Sequence, residues 1–249
     1  MSRRVQSFRA LAVLVAGVAL GTSVILAAAG QPTPSPTAGH MTEHFSQVGV
    51  IINAVIRGDL EDVREPARWM ASHQHAKGLP ATSALYLEEM KNTAKQTAQA
   101  KTLTGASIAA ASMAVNCGAC HAAAGIKASG SEVPATGAAP AGGIAKHMLE
   151  HQWAVDQMLN GLVRPSDDDW LSGARRLQVA PMAAKELPDD PKLSQEIRDF
   201  EAKVHALAEK ALKATAGPAR AAVFGEITAG CGECHGLHGR VWGPGVPKI

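Results

Sequence analysis

The chain has 249 residues, enough for one large domain or for two of roughly 100–150 residues each. Its formal charge is +2, and removal of residues 1–29 would take away three arginines and no acid, leaving 21 basic groups against 22 acidic ones. That balance excludes a basic field that would draw nucleic acid, and with only 4% aromatic residues a protein-only core would be built from small side chains, so another group is expected to fill the interior.

Residues 1–30 read as an export signal. Arg3, Arg4 and Arg9 precede an apolar run over residues 10–29 that closes on Ala27, Ala28 and Ala29. The run is longer than the roughly 7–15 residues of a cleaved signal and approaches the ~20 that span a bilayer, so membrane anchoring through residues 10–29 is the alternative to cleavage. The expected location is periplasmic, soluble or N-terminally anchored. Residues 31–39, with Pro32, Pro34 and Pro36, are expected to form an extended spacer. A first domain is expected over residues 40–124, a flexible linker over 125–143 and a second domain over 144–249.

The two domains are copies of one pattern. His40-Met41-Thr42-Glu43-His44 matches His147-Met148-Leu149-Glu150-His151 in four of five positions at an offset of 107, and Ala67-Arg68 matches Ala174-Arg175 at the same offset. Cys117-Gly118-Ala119-Cys120-His121 matches Cys231-Gly232-Glu233-Cys234-His235 at an offset of 114. Met41, His44, Val48, Ile51, Ile52 and Val55 recur at helical spacing, as do Met148, His151, Val155, Met158, Leu159 and Leu162. With Gly58, Pro80, Gly105, Pro165, Pro188 and Gly217 as breaks, each copy divides into four helical runs. Short connections favour antiparallel neighbours, which brings the end of helix four near the start of helix one.

The CxxCH motif is the signature of c-type haem attachment: two thiols tether the macrocycle and the adjacent histidine reaches the iron. The candidate attachment residues are Cys117, Cys120 and His121 for one haem c and Cys231, Cys234 and His235 for another. Two short disulfides, a zinc site and a thioredoxin-like redox pair are the competing readings. The zinc site needs both cysteine pairs to meet and leaves the two histidines idle. The redox pair needs a βαβ setting that the pattern lacks.

At these residues the chain resembles the class II cytochromes c, the cytochrome c prime group, in which a four-helix bundle carries CxxCH near the end of its last helix. The resemblance covers residues 40–122 and 144 to about 238. It implies an all-α fold of two tandem antiparallel four-helix bundles of cytochrome c prime type. It also implies a sixth ligand near the start of helix one. Met41 and Met148 match that place, and His44 and His151, three residues on, are the alternative ligands that would make each site bis-histidine. His40 and His147 sit one turn earlier, while His73, His75, His205 and His238 have no counterpart in the other copy and are expected to face solvent. The expected function is that of a di-haem periplasmic electron carrier serving redox partner proteins and catalysing no reaction of its own. The alternatives are a high-spin protein that binds NO or CO and, behind it, a haem peroxidase.

Overall fold

A computed structural model describes residues 35–74, 77–128, 143–178 and 181–242, without the side chains of 143–145 and 237–242. The export segment, most of the linker, His75 and the side chain of His238 lie outside the described residues. Among the described residues the regular structure is all helical. The helices are α1 (Pro36–Ile56), α2 (Arg64–Ser72), α3 (Ala84–Gln99), α4 (Leu103–Ala123), α5 (Gly143–Val163), α6 (Asp167–Arg176), α7 (Pro191–Leu212) and α8 (Gly217–Trp242), with 3-10 turns at Ala81–Ser83 and Ala184–Glu186.

The helix starts follow local chemistry. Ser35 caps α1 by accepting a hydrogen bond from the Ala38 N–H at 3.2 Å. Pro36 sits in the first turn, where a missing N–H leaves nothing unpaired. Helix therefore replaces the extended chain expected at residues 36–39, because a capped helix tolerates proline at its first position. Thr102 caps α4 through the Gly105 N–H at 3.0 Å, and Asp190 caps α7 through Lys192 and Leu193. Short α6 carries Asp167, Asp168 and Asp169 in its first turn and Arg175 and Arg176 in its last, both favourable to the helix dipole.

Within each half, consecutive helices pack on one another, α1 to α4 and α5 to α8. The most extensive contact, however, joins the halves: α4 lies against α8. Small side chains are abundant on both helices: Ala106, Ala110, Ala111 and Ala114 of α4 and Ala221 and Ala229 of α8 are all buried. A Cβ added at Gly225 would fall 2.5 Å from Ile108 Cγ1 and 2.7 Å from its Cα, so only glycine admits that approach. Ser107 and Thr228, both fully buried, meet through their hydroxyls. Thr228 donates to the Phe224 carbonyl at 2.9 Å, which leaves Ser107 as the donor to Thr228. The many alanines thus fill space by letting two backbones come close, which reaches interior packing density without large side chains.

Larger groups sit towards the end of the second half. Trp170 is fully buried, and its Nε1 donates to the Ala211 carbonyl at 2.9 Å. The Arg220 guanidinium lies 5.2 Å from the Trp170 ring and binds the Ala214 carbonyl and the Asp167 carboxylate. One aromatic ring and one arginine in this way tie α6, α7 and α8 together. The repeat partner of Trp170 in the first half, at the 107 offset, is the smaller Val63, also fully buried.

Candidate functional site

In the second half the two repeated motifs come together. A small cavity, open in part to solvent, is lined by Cys231, Cys234 and His235 of α8, by Met148 and His151 of α5, and by Glu201 of α7. Ile56, at the end of α1, closes one side. CxxCH and the start of helix one of the same copy therefore share one space.

The His235 ring is oriented by a hydrogen bond: Nδ1 lies 2.7 Å from the Ile56 carbonyl oxygen, so Nδ1 carries the proton and donates. Nε2 is then the lone-pair nitrogen. Burial holds the His235 pKa below its ordinary value, against the opposing pull of that hydrogen bond. The first half repeats the arrangement, with His121 Nδ1 2.9 Å from the Val163 carbonyl oxygen at the end of α5.

All four cysteines are unpaired thiols. Burial, with Cys120 beside it, pushes Cys117 up to about 12. Burial, with Cys234 beside it, does the same to Cys231, again to about 12. Cys234 rises to about 11 through burial and the nearby Glu201 carboxylate. Burial thus disfavours the thiolate form of Cys117, Cys231 and Cys234.

Both helix-one motifs hold their histidines alike. The His40 and His44 rings lie 4.3 Å apart at 49°, and the His147 and His151 rings repeat those two values. Around each pair stands a third histidine. In the first half His73, at the C-cap of α2, has its ring 5.1 Å from His40 and 5.4 Å from His44 and stacks on Trp69 at 3.8 Å. One ring nitrogen from each of His40, His44 and His73 falls within 4.8 Å of the others, a cluster able to hold a metal ion. Burial and then His73 lower the His40 pKa, with Glu43 opposing. In the second half His205 of α7 has its ring 6.3 Å from His151.

The expectation that His73 and His205 face solvent is therefore corrected: each is half-buried beside a repeated pair. They come from different elements, α2 and α7, so no internal repeat announces them. Glu201 is a further residue that spacing does not reveal. It is 6% exposed, its Oε1 lies 3.1 Å from His147 Nε2, and it accepts the Met182 N–H at 2.9 Å. Burial alone would raise its pKa, but the bonds from His147 and Met182 outweigh burial and hold the carboxyl below its ordinary value.

His151 lines the cavity with its Nε2 buried and without a hydrogen-bond partner. Burial, then His147 and His205, bring its pKa down to about 3, so the ring is neutral. Met148 lines the same cavity, and Met41 is half-buried on α1 next to His40. Arg68 and Arg175, the repeated arginines, are exposed. No protein-family model, curated protein or solved structure matches the chain, so the reading of this site rests on its own residues.

Proposed function

We propose that the chain is a di-haem c-type cytochrome, two tandem four-helix units of the class II kind, that passes electrons between redox partner proteins in the periplasm. Cys117 and Cys120 tether one haem and Cys231 and Cys234 the other, with His121 and His235 as proximal ligands. The observation that carries the reading is the cavity in which Cys231, Cys234 and His235 face Met148 and His151. The residues fit the group. The thiols are unpaired, and His235 keeps its Nε2 lone pair because Nδ1–H is already bonded to Ile56. A haem held there supplies one-electron exchange at its iron.

Between the two distal candidates the site favours His151 over Met148, and by the repeat His44 over Met41, as sixth ligand. His151 presents a neutral, unpartnered imidazole nitrogen to the cavity, and a buried nitrogen left without a partner is costly until a ligand takes it. Two protein ligands leave no iron position for a gas or a peroxide, which is why electron transfer is placed ahead of the alternatives. The test is the spectrum of the matured protein. Two covalent haems per chain, sharp low-spin bands when reduced and no change with carbon monoxide are expected. A high-spin spectrum with rapid carbon monoxide binding would overturn the electron-carrier reading. His151→Ala is expected to turn one of the two haems high-spin, whereas Met148→Ala leaves both low-spin.

A further inference from the structure

We propose that each proximal histidine is positioned by the opposite half of the chain: the Ile56 carbonyl of the first half holds His235, and the Val163 carbonyl of the second half holds His121. The proposal rests on the haem reading above and adds to it which residues set each haem's potential. The two bonds, 2.7 and 2.9 Å, are made by repeat-related partners, since Ile56 and Val163 stand 107 residues apart and His121 and His235 stand 114 apart. The same contact is thus made twice, by exchange. Both acceptors lie at helix C-termini, where the last carbonyls have no partner inside the helix and carry the negative end of its dipole. An imidazole that donates to such an oxygen becomes a more basic ligand and stabilises the oxidised iron.

The glycine inside each CxxCH serves this crossing. A Cβ on Gly232 would lie 2.2 Å from the Val55 oxygen, and one on Gly118 would lie 2.1 Å from the Leu162 oxygen. Real carbon atoms do not approach that closely, so any other residue at either place would push the helix end away from the histidine. Gly58 is the other side of the second-haem contact. It has φ of +77°, which favours glycine, and its added Cβ would fall 2.9 Å from the Gly232 oxygen.

Gly58 therefore offers a test in which independent halves and exchanged halves give opposite answers. In full-length protein carrying C117S and C120S only the second haem is attached, and in protein carrying C231S and C234S only the first. Gly58→Ala lies in the first half yet is expected to shift the second haem. The ratio of reduced to oxidised iron at a fixed applied potential should rise on the order of tenfold, which is 59 mV for one electron, while the first haem's ratio stays unchanged. A shift of the first haem alone, or of neither haem in a protein of unchanged helicity and haem content, would overturn the proposal. If the variant does not fold, the unsubstituted protein decides by proton NMR. A slowly exchanging His235 Nδ1–H with a nuclear Overhauser contact to Ile56 sustains the proposal, and a freely exchanging one overturns it. A matured chain without covalent haem would overturn the haem reading itself, and that outcome is read from the haem stain and not from any potential.

Discussion

The two halves hold the same pair of histidines in the same geometry and surround it with different chemistry. In the first, His73 and the Trp69 ring back the pair. In the second, the carboxylate of Glu201 lies 3.1 Å from His147, and His205 stands behind His151. What is repeated is the histidine pair, and what differs is the layer around it. Outer-layer hydrogen bonds and charge set the properties of a metal site, so two halves with the same cysteine motif and the same histidine pair differ in the electrostatics around that pair. On the haem reading, the buried Glu201 carboxylate beside the second histidine pair is expected to give the second haem the lower potential.

The largest effect that tests this comparison is all or none. C117S with C120S, or C231S with C234S, is expected to halve the covalent haem, measured by pyridine haemochrome against protein mass; retention of two haems by either variant would break the assignment of one haem to each half. Next comes the core. Trp170→Ala removes a fully buried ring and its bond to Ala211, and is expected to destabilise by about 3–5 kcal/mol in denaturant unfolding. Trp69→Ala, on a half-buried ring stacked on His73, should fall near 1 kcal/mol. Equal losses would show that the halves are braced alike.

Glu201→Gln probes the electrostatic difference. Because this carboxyl is held below its ordinary pKa of 4.5, its contribution is complete above that value and is lost as pH falls through the lower folded value. The variant is expected to lose about 1–3 kcal/mol at pH 7, and the gap to the parent protein should close in acid. A gap that widens below pH 4.5 would reverse the sign of the argument. The same variant should raise the second haem's potential and leave the first haem's alone. The smallest expected effect is that of His73→Gln, a change in the first haem's spectrum or potential with little change in stability.

Much of this was legible in the residues. The helical spacing from Met41 to Val55 and from Met148 to Leu162 marks helices that the structure contains, and the glycine and proline breaks fall near their ends. The sharing of one cavity by CxxCH and the second His-Met-x-x-His follows from the antiparallel order of the runs. Periodicity says which face of a helix is apolar, not which neighbour covers it, and so the packing of α1 on α8 and of α4 on α8 could not be read. Composition likewise does not say where the small residues go: alanine and Gly225 close the α4–α8 seam directly. His73, His205 and Glu201 escaped because none of them has a matching residue in the other copy.

That seam is lopsided. Ser107 of α4 meets Thr228 of α8, but their own repeat counterparts at the 114 offset are Ala221 and Ala114, which carry no hydroxyl. Ile108 likewise enters the notch at Gly225, while its counterpart Ala222 faces a helix whose matching position is Ala111. Two copies of the first half could not rebuild this joint, nor could two copies of the second. The two halves are a left and a right glove, each fitted to the other and not to a copy of itself.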